Sequence, residues 1–140
     1  MKALVIIPAY NEEGAIVNTV KNLKSICPDV DYVIIDDCSK DRTLEIAKQN
    51  NFHVIHLPIN LGIGGAVQTG YKYAYENDYD VAIQMDADGQ HDPKYIPELI
   101  KKVEEGNDLV IGSRFVEKEG FQSTFIRRMG IILYSKIIKL

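Results

Sequence analysis

Two carboxylates that are one residue apart, Asp86 and Asp88, follow an apolar run that is typical of a buried strand, Asp80 to Met85. Gly89 and the pair Asp92-Pro93 come next, so this strand delivers its acids into a loop. In open parallel α/β sheets, ligands bind beyond the carboxyl ends of the strands. Carboxylate oxygens at such a place suit a hard divalent cation, with phosphate oxygens completing its shell. The pattern indicates a metal and phosphate site, whereas an isolated Asp-x-Asp is also typical of a solvated turn.

Other candidate binding residues follow three of the remaining apolar, strand-like runs. These residues are Pro8, Tyr10, Asn11 and Glu12 after the first run, Asp36 and Asp37 after the second, and Arg114 after the last. Because parallel strands end at one edge of a sheet, we expect all of them on a common rim. Such a rim has an excess of acids, which repel one another unless a cation lies between them. Tyr10 can stack on a base and Arg114 can pair with a phosphate, so the rim suits a nucleoside diphosphate compound with a metal on its pyrophosphate.

The fold class follows from strands that alternate with helical patterns. Five strands are predicted, at Ala3–Ile7 closed by Pro8, Tyr32–Ile35, His53–Leu57, Asp80–Met85 and Asp108–Ile111. Helical spacing follows each of the first four, and the first helix is expected to carry Glu12 and Glu13 in its first turn. Right-handed βαβ crossovers then give an α/β fold with a mostly parallel sheet and helices on both faces.

A glycine-rich stretch, Asn60 to Gly70, precedes the third helical pattern. It matches neither the dinucleotide fingerprint nor a P-loop, so close helix packing is the favoured interpretation and phosphate binding the alternative.

Composition limits the function further. The 140 residues suit one domain, the formal net charge is −4, and the last twenty residues carry four basic residues and no acid. An acidic body argues against a nucleic-acid partner. Cys27 and Cys38 suggest neither a zinc site nor a disulfide framework. Without a signal-peptide pattern or a membrane-spanning run, a cytoplasmic location is expected, with peripheral attachment at the cytoplasmic face of a membrane as an extension.

Five short motifs, in the order in which they occur along the sequence, resemble those of a known protein family. These motifs are Ile7-Pro8-Ala9-Tyr10-Asn11-Glu12-Glu13, Ile35 to Thr43, Asn60 to Ala66, Met85 to Pro93, and Gly112-Ser113-Arg114. Together they resemble family 2 inverting glycosyltransferases with the Rossmann-like GT-A fold, and in particular the dolichyl- or polyprenyl-phosphate mannose and glucose synthases. Relatives of this kind continue into an acceptor half, so the chain is expected to correspond to the donor-binding half.

The resemblance implies roles for individual residues. Pro8, Tyr10, Glu12, Ile35 and Asp37 would line the nucleotide pocket, and Asp86, Ala87 and Asp88 would meet the diphosphate. The metal, Mg²⁺ or Mn²⁺, would be held by Asp86, Asp88 and Gln90, while Asp88 and Arg114 would serve catalysis. His91 is interpreted as ordering the loop, or as supporting the metal ligands.

The implied reaction moves a sugar from a UDP- or GDP-linked donor to an acceptor. A hydroxyl acceptor needs a general base, for which Asp92 and Glu119 qualify by position only. A phosphate acceptor is already anionic, which favours a polyprenyl phosphate. The alternative function is a non-catalytic nucleotide-sugar-binding subunit. A phosphoacceptor receiver domain and a nucleotidyltransferase fit less well, because the residues they need after the first strand are missing.

The predicted domains are residues 1–120, which bind the nucleotide sugar, and residues 121–140, a basic apolar helix. Three interpretations of that helix stay open: packing on its own sheet, a homodimer contact, and attachment to a membrane surface.

Overall fold

The structure is a computed structural model in which residues 1–112 are described. Residues Met1–Val110 form one compact unit. Arg114, Glu119 and the predicted helix 121–140 lie outside the described residues, so the predictions for them remain predictions. Within the described part of the chain, no helix is long and apolar enough to cross a membrane.

Within residues 1–112, four strands and four α-helices alternate. They are β1 (Ala3–Ala9), α1 (Ile16–Ile26), β2 (Asp31–Asp36), α2 (Thr43–Gln49), β3 (Val54–His56), α3 (Gly62–Glu76), β4 (Val81–Gln84) and α4 (Ile96–Glu104), with a 3₁₀ turn at Pro93–Tyr95 before α4. The strands pair in the order β3-β2-β1-β4, and each pairing is parallel. The predicted α/β class with a parallel sheet is confirmed.

Helices cover both faces of this sheet, because alternate strand residues point to opposite sides. On one face, α1, α2 and α4 bury Ile16, Val20, Leu23, Ala47 and Ile96 against odd-numbered residues of β1. On the other face, α3 packs Ala66 and Ala74 against Leu4 and Ile6. The loops that carry the acids therefore follow strands of a sheet that is packed on both faces.

Three local predictions were wrong. β1 continues through Pro8, which pairs with Ile35, because pairing of β1 with β4 ends at Ile6 and no neighbour on that side needs an N–H from residue 8. Helix α1 begins at Ile16 and has no acid in its first turn, so Glu12 is left in the loop before it.

The third wrong prediction is the strand Asp108–Ile111. No β-structure forms there, and Leu109 and Ile111 are 77% and 76% exposed. An apolar run satisfies the sequence pattern of a strand, but a strand also needs a neighbour to pair with. Among residues 1–112, the sheet supplies none for this segment.

Candidate active site

A cavity of about 380 Å³ lies at the carboxyl ends of β1, β2 and β4, beside the first turn of α3. Its lining residues are Pro8, Ala9, Tyr10, Glu12, Asp37, Asn60, Gly62, Ile63, Ala66, Asp86, Ala87 and Asp88. The structure thus brings the acids of three separate strand ends to one cavity. Asp37 and Asp88, 51 positions apart in the sequence, share it.

The loop after β1 is tied to the loop after β2 by hydrogen bonds between backbone and side chains. The Glu12 N–H donates to Thr43 Oγ1 at 2.8 Å, and the Glu13 N–H donates to Asp41 Oδ2 at 3.1 Å. In the return direction, the Arg42 N–H donates to Glu13 Oε2 at 3.0 Å. These bonds fix the position of Glu12 at the cavity.

Asn11 adds two hydrogen bonds between the loop after β1 and the loop after β2. Its N–H donates to Ser39 Oγ at 3.0 Å, and its Oδ1 accepts from the Lys40 N–H at 2.8 Å. Asn11 and Cys38 have φ values of 57° and 58°, in the left-handed region that non-glycine residues rarely adopt. The two loops therefore hold each other in an unusual backbone conformation. Tyr10, next to Asn11, lines the cavity and is 41% exposed.

Asp37 is 3% exposed and lines the cavity. Its Oδ1 accepts the Leu61 N–H at 2.7 Å, and its backbone carbonyl accepts from Asn60 Nδ2 at 3.1 Å. The carboxylate is thereby fixed from the α3 side. Within residues 1–112, no hydrogen-bond partner is recorded for Oδ2, which leaves that oxygen to accept from a ligand.

The loop after β4 carries Asp86 and Asp88 on either side of the buried Ala87. Asp86 Oδ1 accepts from Gln84 Nε2 at 3.1 Å, and Asp88 Oδ1 accepts the Gln90 N–H at 2.9 Å. Each carboxylate therefore keeps one oxygen outside these bonds.

His91 orders this loop, as one of the two sequence interpretations predicted. Its Nδ1 accepts the Asp86 N–H at 3.0 Å, so the proton of the neutral ring is on Nε2. That nitrogen lies 3.7 Å from Asp86 Oδ2. A protonated Nε2 facing a carboxylate can orient it but cannot bind a metal.

Charge repulsion is visible at Glu12. Partial burial raises the pKa of the Glu12 carboxyl, and the negative charges of Asp88, Asp41 and Asp86 raise it further. Asp41 shows the opposite balance: burial raises its pKa, but hydrogen bonds from Thr43, Glu13 and its own backbone outweigh that and leave it lowered. The cavity is therefore short of positive charge at the position where Glu12 meets the acidic loop.

This arrangement fits a divalent cation that is completed by its ligand. Among the residues that the structure describes, no group of three or more His, Cys, Asp or Glu side chains forms a metal cage. Mg²⁺ and Mn²⁺ sites commonly use one or two carboxylates with water and substrate phosphate. The all-oxygen pair Asp86 and Asp88 is such a set, and the repulsion felt by Glu12 gives a cation a favourable place.

Three of the predicted residues do not line the cavity. Ile35 does not line the cavity, because its side chain is fully buried in the core on the α3 side of the sheet. Gln90 is exposed and contacts Asp88 through its backbone N–H. Asp92, one of the candidate bases, caps the 3₁₀ turn and pairs with Lys94 at 3.0 Å, and hydrogen bonds from Lys94 lower its pKa. A lowered pKa makes Asp92 a weaker base.

Several residues that line the cavity, or that make contacts at the ends of the strands, were not predicted from the sequence. Asn60 and Ile63 line the cavity, although no site role was predicted for either side chain. His56 was not connected with Asp36, yet its Nδ1 lies 2.7 Å from Asp36 Oδ2 at the end of β2. A signal existed for this pair, because parallel register places the last residues of neighbouring strands side by side. Thr19, the fourth residue of α1, bonds the Ala87 carbonyl through its hydroxyl, and no sequence pattern indicated this contact.

Comparisons with known proteins agree with this geometry. A family model described as Glycosyl transferase family 2 matches residues 4–139. The undecaprenyl-phosphate mannosyltransferase of Micrococcus luteus is 40% identical over 121 residues, covering 83% of this chain and 49% of that protein. The polyprenol monophosphomannose synthase of Mycolicibacterium smegmatis is 37% identical, covering 82% of this chain and 46% of that protein. The chain thus spans about half the length of these relatives.

The fold has solved counterparts. The crystal structure of S. aureus TarS 1–349 in complex with UDP superimposes with a TM-score of 0.63 at 25% identity, covering 84% of this chain and 40% of that one. Structural neighbours of this kind are GT-A glycosyltransferases, so the predicted GT-A fold is confirmed. Because the family model covers nearly the whole sequence, this chain belongs to glycosyltransferase family 2.

Proposed function

We propose that this chain binds a nucleoside diphosphate sugar together with Mg²⁺ or Mn²⁺, and that it serves transfer of the sugar to a polyprenyl phosphate with inversion. The observation that carries the proposal is the single cavity that joins Asp37 and Tyr10 on one side to Asp86, Ala87 and Asp88 on the other.

The Asp37 side suits the nucleoside. A fixed, nearly buried carboxylate with one oxygen uncommitted can accept a hydrogen bond from a ring N–H of the base or from a ribose hydroxyl. Tyr10 offers an aromatic face for stacking, and Glu12 offers a second acceptor. UDP is the ligand of the TarS structure, which supports a uridine donor here; a guanosine donor is the alternative.

The Asp86 and Asp88 side suits the diphosphate, held through a cation. When bound, Mg²⁺ or Mn²⁺ supplies Lewis-acid stabilisation of the charge that develops on the departing nucleoside diphosphate. Asp88 and Asp86 would hold that ion, with Gln90 as a proposed additional ligand. Arg114, which lies outside the described residues, is proposed to neutralise the same diphosphate.

The proposed reaction is a direct displacement. A phosphate oxygen of the acceptor forms a bond to the anomeric carbon, while the bond from that carbon to the diphosphate oxygen breaks on the opposite side. The nucleoside diphosphate leaves with the electron pair, and the anomeric configuration inverts. The acceptor phosphate is ionised, so no residue has to remove a proton. The undecaprenyl phosphate in the name of the Micrococcus luteus relative supports this acceptor class, and so does the polyprenol monophosphomannose in the name of the second relative.

A thermal-shift screen tests the binding step. UDP-sugars and GDP-sugars would be added to the full chain, each with and without Mn²⁺. A ligand at a hundredfold excess over Kd stabilises the folded state by about 2.7 kcal/mol, which is enough to rank donors. Asp88→Ala is expected to remove the Mn²⁺-dependent part of the shift.

The matched control is Asp29→Ala, which removes an exposed acid from the turn before β2. It is expected to behave as the wild type. An unchanged Mn²⁺ effect in Asp88→Ala would contradict the site assignment. Incubation of the best donor with a polyprenyl phosphate then separates transfer from binding: donor consumption supports an enzyme, and binding alone supports a non-catalytic subunit.

A further inference from the structure

The loop that carries Asp86 and Asp88 is anchored by a residue of α1 that does not line the cavity. Thr19 is the fourth of the eleven residues of α1 and is 6% exposed. Its Oγ1 donates to the backbone carbonyl of Ala87 at 2.8 Å, in a buried hydrogen bond between residues 68 positions apart. Thr19 is not among the residues that line the cavity.

This use of a threonine hydroxyl is not the default in a helix. A threonine inside a helix commonly donates to the carbonyl four residues earlier. Thr69 does this in α3, where its Oγ1 donates to the Gly65 carbonyl at 2.9 Å. The Thr19 hydroxyl instead leaves its own helix and bonds the loop between Asp86 and Asp88.

The position of this bond determines what it controls. Ala87 is the residue between the two acids, and its side chain is 3% exposed. A fixed Ala87 carbonyl sets the plane of the peptide between Ala87 and Asp88, and it restrains the residue that joins the two acids. Gly89, which turns the chain with φ of +78°, has Thr19 Oγ1 as its nearest neighbour, 3.9 Å from the position a Cβ would take.

We infer that Thr19 is a positioning residue for the metal and diphosphate side of the cavity. It touches neither ligand and acts by holding the Ala87 carbonyl, so that Asp86 and Asp88 are oriented before a cation arrives. This inference rests on the proposed function. It predicts that loss of the hydroxyl weakens metal-assisted binding more than it weakens nucleotide binding alone.

Thr19→Val tests the inference, because valine keeps the shape and β-branching and removes the donor. Affinity for UDP and for GDP would be measured by calorimetry on the full chain, with and without Mn²⁺. An unpartnered buried carbonyl disfavours the ordered loop, and the gain in affinity from Mn²⁺ is expected to fall roughly tenfold, equivalent to about 1.4 kcal/mol. Thr19→Ser keeps the hydroxyl and is expected to restore the wild-type gain.

Thr69→Val is the matched control, since it removes a helix hydroxyl that bonds only its own helix. It is expected to lower stability without changing the gain from Mn²⁺. If Thr19→Val shows no cooperative unfolding transition, Thr19→Cys replaces it, and its weak S–H donor is expected to give an intermediate loss.

A second measurement uses the metal-free protein. Amide hydrogen exchange at Ala87 to Gln90 is expected to be faster in Thr19→Val than in Thr69→Val, because the loop has lost its buried anchor. A Thr19→Val protein with the wild-type gain from Mn²⁺ and unchanged exchange overturns the positioning role. A wild-type protein that binds neither nucleotide more tightly with Mn²⁺ overturns the proposed function itself.

Discussion

Gly70 of α3 lies tightly against Ile6 of β1, and its substitution by alanine gives a prediction with a calculable size. A Cβ at residue 70 would lie 2.3 Å from Ile6 Cγ2, 2.9 Å from Cγ1 and 3.0 Å from Cδ1. Ordinary carbon contacts are about 3.5 to 4.0 Å, so the closest one falls short by more than ~1 Å. Ile6 is fully buried and Cγ2 is attached directly to its Cβ, so this atom cannot swing away without a change of rotamer.

The expected free-energy change has two parts. Overpacking of a core typically costs ~1–3 kcal/mol. Replacement of glycine by alanine inside a helix contributes about 1 kcal/mol in the opposite direction. Gly64→Ala isolates the second part, because Gly64 lies in the same helix and a Cβ there meets nothing within 4 Å. Gly64→Ala should therefore stabilise the protein, and Gly70→Ala should be less stable than Gly64→Ala by about 1–3 kcal/mol.

Urea unfolding at equilibrium measures both variants, with the midpoint compared at a common slope. Ile6→Ala provides the internal check, because it removes all three clashing atoms. On its own it is expected to destabilise the protein by about 2–5 kcal/mol. In the Gly70→Ala background its cost should be at least ~1 kcal/mol smaller, since the two sites are in contact. Equal stability of Gly70→Ala and Gly64→Ala, or an Ile6→Ala cost that is the same in both backgrounds, would refute the steric argument.

Two further substitutions test the electrostatics of the strand ends. Burial raises the pKa of Glu12, and the charges of Asp88, Asp41 and Asp86 raise it further, so ionisation of Glu12 destabilises the folded state. This destabilisation is absent below the unfolded pKa near 4.5 and develops as pH rises through the higher folded pKa. Glu12→Gln should therefore gain stability relative to the wild type between pH 4 and pH 7 in metal-free urea titrations, and a pH-independent difference would contradict this. His56→Ala should lose ~1–3 kcal/mol in the same assay, because Asp36 is fully buried and Oδ2 would lose its hydrogen bond with His56. Among residues 1–112, Asp36 Oδ1 has no partner that could compensate. His56→Gln, which keeps a donor, should recover part of the loss.

The convergence of the strand-end acids on one cavity could be predicted from the sequence, because its main determinant is topological. Parallel strands end at one edge, so acids after β1, β2 and β4 had to converge once the alternation of strands and helices was recognised. The convergence of Tyr10, Asp37 and Asp88 on the cavity follows from this strand order and needs no knowledge of distances. The family resemblance added which acids would meet which part of the ligand, and those roles remain proposals.

What the sequence could not supply depends on contacts between distant segments. The strand Asp108–Ile111 was predicted from its apolar pattern, but pairing needs a neighbour and the pattern does not encode one. The extension of β1 through Pro8 depends on where β4 stops. Ile35 follows the motif of a pocket residue, yet the pleat directs its side chain into the core. In each case the local pattern was compatible with two outcomes, and tertiary pairing decided between them.

Backbone conformation distinguishes the residues that shape the cavity from those that end helices. Residues with positive φ fall into two groups among residues 1–112. Asn51, Asp78 and Gly106 follow the ends of α2, α3 and α4, where a left-handed residue commonly terminates a helix. Gly62 begins α3 beside the cavity, and the others, Asn11, Cys38 and Gly89, lie in the three strand-end loops around it.

The left-handed conformation of Asn11 is held by hydrogen bonds and not by a helix end. Its N–H donates to Ser39 Oγ, and its Oδ1 accepts from the Lys40 N–H. Sparsely populated conformations persist only where the surroundings over-determine them. The geometry of the cavity loops therefore depends on contacts made outside the cavity. That is why the removal of one buried hydroxyl, at a residue that touches no ligand, should be measurable as a loss of metal-assisted binding.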